Sequence, residues 1–368
     1  MSRVLRNRVG AAALVGVLAL AVTACSGTGE ADAPQSGSDA PSTSTEAPPE
    51  SSVEVPEGRV VPVENSSGDA VKIAMIGFSN NPYWVGVSEG ATYANDVLAS
   101  YDGSVDWIIA GTRQDVQTIN SAILAAANQG YDGIGFFIGG EGNCQVIADL
   151  TEEGVKLGVY NTLFDCVESS GGVIDYAQQQ DDAGKLAASE MIKAVGDASG
   201  SVGIIVSTFT APGSEQRRTG FIDGLKGSNL TVIGEGVEAQ DSASNTYTAT
   251  QNYLQSTDDV VGIYCTAGGP FGAAQAVAAA GLTDTVKVIG YDITDENVAA
   301  LKDGSMYGLI GQDAFGQGYN VAVQLYNSVI TGEKADPVLQ PAESPFVTLD
   351  NLDQHDPATV PVGTLGAS

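Results

Sequence analysis

From Val71 onward, short apolar runs alternate with longer amphipathic ones, and the rhythm scarcely changes up to about residue 349. Val71–Gly77 is short, almost wholly apolar and closes on glycine, the pattern of a strand buried on both faces. Helical spacing follows over 82–100. Further strands are expected at 105–110, 133–138, 156–160 and 173–176, with helices over 114–128, 144–153 and 181–195. In 114–128, Val116, Ile119, Ile123 and Leu124 fall on one face. The same grammar then restarts. Strands are expected at 202–206, 231–234, 260–264, 286–291 and 307–310, and helices over 214–225, 246–254, 272–280, 295–302 and 317–330. A last extended piece at 346–349 precedes a Pro-rich tail. Strands alternating with helices of this length form βαβ units, hence parallel sheets covered on both faces. Two successive runs with a break near 171–180 predict an α/β chain of two doubly wound, Rossmann-like lobes.

The first seventy residues do not share this rhythm. Arg3, Arg6 and Arg8 precede the apolar run 11–22, which is shorter than the ~20 residues a membrane-spanning helix needs. A basic start, a short apolar stretch and small residues after it describe an export signal. The segment Leu20-Ala21-Val22-Thr23-Ala24-Cys25 resembles the lipobox of bacterial lipoproteins, which implies a signal peptide over 1–24 and lipidation at Cys25. The alternative is an ordinary cleaved signal with an incidental cysteine. The stretch 25–70 is rich in Ser, Thr, Pro, Gly and acids and holds no aromatic residue, so it is expected to be a flexible tether. No later window is apolar enough to span a bilayer. The expected location is therefore extracytoplasmic, anchored to the cell membrane through the N-terminal lipid alone.

Composition narrows the chemistry. With 45 acidic against 15 basic residues and a net charge of −30, nucleic acid is not an expected partner, since phosphate binding needs Lys and Arg. The surplus of acids belongs mostly to the part after residue 70. A single histidine, His355 near the Pro-rich end, removes His-cluster metal sites; no metal or cofactor is expected. Besides Cys25 there are Cys144, Cys166 and Cys265, without CxxC spacing. Cys144 and Cys166 each follow a predicted strand in the same lobe and can pair in an oxidising compartment; the alternative is three buried thiols.

In open α/β sheets a ligand sits beyond the carboxyl ends of the strands, and with two lobes the natural site is the cleft between them. The residues at those ends are Asn81-Pro82-Tyr83-Trp84, Asn161-Thr162, the stretch 207–218 with Arg217, then Gln240-Asp241, Thr266, Tyr291-Asp292 and Gly311-Gln312-Asp313. They are aromatics and planar or charged hydrogen-bonding groups, with no nucleophile paired to a base. Aromatic faces pack on the C–H face of a sugar, while Asn, Asp, Arg and Gln bridge hydroxyls. Tyr83 and Trp84 have a second reading as helix-face core, and Arg217 and Arg218 as a surface pair with Glu215. Gly139-Gly140-Glu141-Gly142 lacks the spacing of a dinucleotide-binding turn.

From about Val71 to Leu349 the chain resembles the type I periplasmic binding proteins of ABC sugar importers, the ribose-binding-like group. The resemblance is carried by Asn81-Pro82-Tyr83-Trp84, by Arg217 ahead of Gly220-Phe221, by Val288-Ile289-Gly290-Tyr291-Asp292 and by Ile310-Gly311-Gln312. It implies a three-stranded hinge near 176–180, 312–313 and 346. The lobes would then be 71–176 plus 313–345, and 177–312 plus 346–368 with the tail. It also implies a ligand set of Asn81, Tyr83, Trp84, Asn161, Arg217, Gln240, Thr266, Asp292 and Gln312. Asn161-Thr162 stands where sugar binders of this group often have Asp-Arg, which bears on the identity of the sugar. The expected function is capture of a monosaccharide or related polyol and its delivery to an ABC permease, by a monomer that is not an enzyme. The alternatives are a binding protein for a signal molecule or nucleoside on the same fold, and a glycoside-cleaving enzyme drawing two carboxylates from Asp241, Asp292 and Asp313. A transcriptional regulator on the same lobes is disfavoured by the export signal.

Overall fold

The computed structural model describes residues 53–79, 82–266 and 268–355. In chain order these form β1 (Val71–Gly77), α1 (Tyr83–Leu98), β2 (Gly103–Ile109), α2 (Val116–Asn128), β3 (Gly133–Phe137), α3 (Cys144–Glu152), β4 (Lys156–Thr162), α4 (Cys166–Ser169) and β5 (Ile174–Gln178). Next come α5 (Gln180–Val195), β6 (Gly200–Val206), α6 (Pro212–Gly224), β7 (Leu230–Val232), β8 (Val237–Glu238), α7 (Ala243–Ser256), β9 (Val260–Cys265), α8 (Pro270–Ala279), β10 (Lys287–Tyr291), α9 (Asp295–Lys302) and β11 (Gly308–Ile310). The described chain ends with α10 (Ala314–Thr331), β12 (Leu339–Ala342) and β13 (Phe346–Val347).

One sheet runs β12-β5-β4-β3-β1-β2, with every pairing parallel. The other runs β13-β11-β10-β9-β6-β7, with β8 also on β6 and only β13 antiparallel. Strand order reverses between β1 and β3 in the first sheet and between β6 and β9 in the second, so each lobe has its own switch point. The chain leaves the first sheet after Gln178, returns at Gly311–Asp313 and leaves again between Ala342 and Phe346. These are the three crossovers of the hinge. Alternate residues of the second sheet feed opposite cores. Ile205, Ile263, Val288 and Leu309 face α7, α8 and α9. Ile204, Tyr264, Ile289 and Ile310 face α5 and α6.

Glycine lets helices approach closely in both lobes. In the second lobe, a Cβ on Gly184 would stand 2.2 Å from the Arg217 carbonyl oxygen, and one on Gly220 would stand 2.2 Å from that of Asp181. Only glycine allows α5 and α6 to meet backbone to backbone. Gly90 and Gly318 do the same for α1 and α10. The contact sets where the backbone of Arg217 lies, and so has a bearing on the cleft.

Three features differ from the sequence expectation. Residues 53–70, expected to be tether, are not free chain: Val53, Val55, Val60 and Val63 pack against the first core, and Arg59 is buried. Composition counts apolar residues but does not register that four valines lie along one side of a strap. β12, in a stretch for which no strand was expected, is a strand despite Pro341. It pairs only with β5 at the sheet edge, where a missing N–H is tolerated. β8, two residues long, was too short to register as a strand. Cys144 and Cys166 are joined by a disulfide between the starts of α3 and α4, and Cys265 is a free buried thiol. Cys25 and the signal segment lie outside the described residues.

Two outcomes follow from this packing. Alanine at an exposed helical glycine usually stabilises by about 1 kcal/mol. At Gly220 the contact reverses the sign, and Gly220→Ala is expected to cost about 1–3 kcal/mol in urea unfolding, as overpacking does. Asp175 on β5 is fully buried; Oδ2 accepts from the Phe164 amide at 2.9 Å, and Oδ1 has no partner. Burial pushes this carboxyl up to about 8. The folded state therefore holds the proton more tightly than the unfolded chain, so its stabilising contribution is present in acid and is lost as pH rises toward 8. Asp175→Asn cannot titrate. Between pH 4 and 8 the native chain should lose at least about 1.4 kcal/mol relative to this variant, the equivalent of one pKa unit, in unfolding curves taken across that range.

Candidate functional site

The carboxyl ends of the strands in both sheets converge on one cleft of about 540 Å³, its open mouth included. Small-molecule sites commonly span ~300–1,000 Å³. One wall comes from the first lobe: Tyr83 and Trp84 at the start of α1, Gln114 after β2, Phe137 ending β3, and Asn161 and Thr162 ending β4. The facing wall comes from the second: Ser207 after β6, Ser214 and Arg217 on α6, Asp241 after β8, Gly268 after β9, and Asp292 after β10. Gln312, at the second crossover, closes the floor.

Arg217 is held from three sides. Its Nε donates to Gln180 Oε1, Nη1 donates to the Thr266 carbonyl at 2.8 Å, and Nη2 donates to Gln312 Oε1 at 2.8 Å. The guanidinium carbon lies over the Tyr291 ring, 3.9 Å from its centroid. Gln312 passes the chain on, its Nε2 donating to Asp292 Oδ1. Burial raises the Asp292 pKa above the ordinary carboxylate range, while Gln312 and Arg217 pull it back down. Asp241 is raised for the same reason; it accepts from Ser207 Oγ at 2.9 Å and from the Gly268 amide at 3.1 Å.

On the first lobe, Trp84 sits inside an aromatic cluster, with ring centroids at 5.0 Å from Tyr83, 5.1 Å from Phe78 and 5.8 Å from Phe137. The two sequence readings of Tyr83 and Trp84 therefore both apply: each packs in the core and each lines the cleft. The indole N–H of Trp84 is buried without a partner, a donor with capacity to spare. Tyr83 donates from its hydroxyl to Gln317 Oε1, and burial pushes its phenol well above the ordinary range.

Backbone conformation marks the cleft. Among the described residues, the non-glycine positions with φ > 0 are Asp102 and five at or just after strand ends: Asn161 (80°), Gln240 (54°), Asp241 (55°), Asp292 (73°) and Asp313 (48°). Such backbones cost energy and cluster where a chain must turn a side chain toward a site. Asn and Asp tolerate them best. In the sequence these residues stand out for their hydrogen-bonding groups, not for this strain.

Of the expected ligand set, Tyr83, Trp84, Asn161, Arg217, Asp292 and Gln312 are brought together on the cleft. Asn81 lies outside the described residues. Gln240 does not line the cleft: two successive left-handed residues turn its side chain outward and bring Asp241 in instead. Thr266 lies behind Arg217, with its carbonyl on Nη1 and its hydroxyl on Ser214 Oγ. Gln180 was missed. It accepts from Arg217 and donates to the Asn161 carbonyl, and so ties the two walls together across the hinge. The signal was present as three consecutive glutamines, 178–180, at an expected crossover. The cleft can offer carboxylate acceptors, a fixed guanidinium and an aromatic face to a donor-rich molecule.

Residues 73–334 match the periplasmic binding protein domain. The chain is 26% identical over 240 residues, 64% of its length and 76% of the relative's, to the D-allose-binding periplasmic protein of Escherichia coli (strain K12). Among solved structures, it resembles a carbohydrate transporter solute binding protein from Agrobacterium radiobacter in complex with D-arabinose. That likeness is at 25% identity and TM-score 0.67, over 78% of this chain and 97% of the other. An ABC transporter solute binding protein from Burkholderia graminis C4D1M, also in complex with D-arabinose, shares the fold at 20% identity and TM-score 0.71, over 79% and 99% of the two chains. Two doubly wound lobes, three crossovers and a cleft at both switch points agree with the domain match, and the chain belongs to the periplasmic binding protein family, on the type I fold.

Proposed function

We propose that this chain is an extracytoplasmic solute-binding lipoprotein that captures a monosaccharide or related polyol in the interlobe cleft and delivers it to an ABC import permease. The observation that carries this reading is the buried chain Arg217–Gln312–Asp292, facing an aromatic wall around Trp84. Preorganised planar donors and acceptors of this kind hold hydroxyls at little further ordering cost. The named ligands of the relatives, D-allose and D-arabinose, are of the same chemical class. Two carboxylates, Asp241 and Asp292, stand against one guanidinium, three of whose five N–H groups already serve Gln180, Thr266 and Gln312. That balance favours a neutral ligand rich in hydroxyl donors and disfavours sugar acids.

Asn161, in place of the acid common in this group, contributes its backbone carbonyl to Gln180 and its amide oxygen to Thr162 Oγ1. The cleft thus spends this position on joining its own walls. Membrane attachment follows from the lipobox at Cys25, and hinge bending at the three crossovers supplies the closure.

A thermal-shift screen of D-allose, D-arabinose, other pentoses and hexoses, polyols, nucleosides and uronic acids tests the assignment. At least one neutral sugar or polyol should raise the midpoint and uronic acids should not; a response confined to nucleosides or to acids overturns the reading. For the sugar that binds, Asp292→Ala should weaken affinity at least about tenfold, the equivalent of ~1.4 kcal/mol, by calorimetry. Cys25→Ala should move the protein from the membrane fraction into the soluble fraction of a lipoprotein-processing host; unchanged partitioning rules out the anchor.

A further inference from the structure

The residues ahead of the matched domain carry a feature that neither the fold nor the cleft requires. Residues 53–63 run along α1 and α10 as a strap. The Val60 amide donates to Asn320 Oδ1 at 3.1 Å, and the Val63 amide to Asn327 Oδ1 at 2.9 Å. Asn327 Nδ2 donates back to the Val61 carbonyl at 3.0 Å, and the Tyr93 hydroxyl to the Glu54 carbonyl at 3.0 Å. Asn320 and Asn327, two helical turns apart on α10, thus act as a ladder for an otherwise irregular segment. The strap's only basic residue, Arg59, is not at the surface. Its side chain is 1% exposed and grips Asp313 with both arms of the guanidinium, Nη1 to Oδ2 at 2.5 Å and Nη2 to Oδ1 at 2.8 Å.

Asp313 is a consequential residue to hold. Its backbone is left-handed, and its carboxylate caps α10 through the Gly316 amide at 3.0 Å. It also accepts from the Tyr176 hydroxyl at 2.7 Å. Tyr176 stands on β5 two residues before Gln178, whose amide donates to the Gly311 carbonyl at 3.0 Å and to Ser344 Oγ at 2.9 Å. One network therefore joins all three crossovers. Immediately before Asp313 is Gln312, the residue that bridges Arg217 and Asp292 in the cleft. A carboxylate buried this deeply needs an opposite charge, and the planar fork of arginine fixes its orientation as well as its charge.

We propose that the segment ahead of the domain is a latch on the hinge, and that Arg59 is a positioning residue for the binding site: by fixing Asp313 it sets Gln312 between Arg217 and Asp292. The inference rests on the reading of the cleft as a sugar site. It goes further, making ligand retention depend on a residue outside the matched domain boundaries, in a stretch whose composition is that of a linker. Arg59 does not touch the cleft. It acts through the second crossover, which carries the pivot of lobe closure and a ligand-facing amide in adjacent residues.

The test uses the full-length chain as native protein, Arg59→Ala, Arg59→Lys and Tyr176→Phe. Three quantities are read: the unfolding midpoint, the dissociation rates of D-allose and D-arabinose followed by tryptophan fluorescence, and the ligand-free radius of gyration by small-angle X-ray scattering. Arg59→Ala should speed dissociation by about tenfold, since Gln312 is then no longer held in place for the ligand and preorganisation of the cleft is lost. It should also enlarge the ligand-free particle by opening the hinge. Lysine keeps the charge but not the fork, and should fall between native and alanine. Tyr176→Phe removes one bond to Asp313 while leaving the ion pair, and should speed dissociation by about two- to threefold with little change in midpoint. If Arg59→Ala lowers the midpoint but leaves dissociation and scattering unchanged in the folded protein, the residue is only structural and the proposal fails. If that variant does not fold, Arg59→Lys and Tyr176→Phe decide on the same two readouts. If neither sugar binds the native chain, the sugar reading of the cleft fails for these probes. The latch then stands or falls on the scattering of the ligand-free variants alone.

Discussion

Two adjacent residues at the second crossover, Gln312 and Asp313, satisfy buried polar groups on both sides of the hinge, and the arrangement of the cleft depends on that. The side chain of Gln312 accepts from Arg217 and donates to Asp292, both in the second lobe. Its carbonyl accepts from Gln317 on α10, which in turn receives the Tyr83 hydroxyl in the first lobe. Asp313 takes Arg59, Tyr176 and the first turn of α10. An unpaired polar group here would lose its water without replacement, so each bond is costly to break. The hinge is consequently not a loose connection. It is a hydrogen-bonded network within which the chain passes between sheets, with the buried Oε1 of Gln178 left without a partner.

The two lobes explain why that network lies at the ligand. Both sheets reverse strand order at their first strand, so both open a crevice at the same end, and the crossovers bring those ends face to face. Close helix pairs repeat the symmetry at another level, with Gly90 and Gly318 in the first lobe matched by Gly184 and Gly220 in the second. In the second lobe the pair α5–α6 also carries the cleft, since Gln180 begins α5 and Arg217 lies on α6. The packing of a helix pair and the aim of a guanidinium are one geometric fact. The disulfide between Cys144 and Cys166 serves the facing wall similarly, joining the helices that follow Phe137 and Thr162.

Much of the cleft was legible because strand ends can be found from periodicity, and a ligand in this architecture must sit beyond them. Six of the nine expected contacts stand there. The misplacements have a common cause. Gln240 and Asp241 are equally polar neighbours, and two left-handed backbones in succession decide which of them faces inward. Thr266 is at a strand end, yet the arginine lies in front of it. Gln180 belongs to a helix start, where a polar residue ordinarily reads as solvated, and only the crossing of the chain brings it between the walls.

The alternation of apolar runs is a local property, set by which side chains must leave water within a few residues, and by itself it determined the α/β class, the two lobes and the ends of the strands that matter. The residues at those ends likewise determined their chemistry of aromatics, carboxylates and planar hydrogen-bonding groups. Tertiary structure alone decided which polar groups meet. Arg59 and Asp313 lie 254 residues apart, and nothing in the Ser-, Pro- and acid-rich stretch around Arg59 announces a buried partner. A buried charge is defined by what surrounds it in space, and that surrounding exists only after both sheets, three crossovers and the strap have come together.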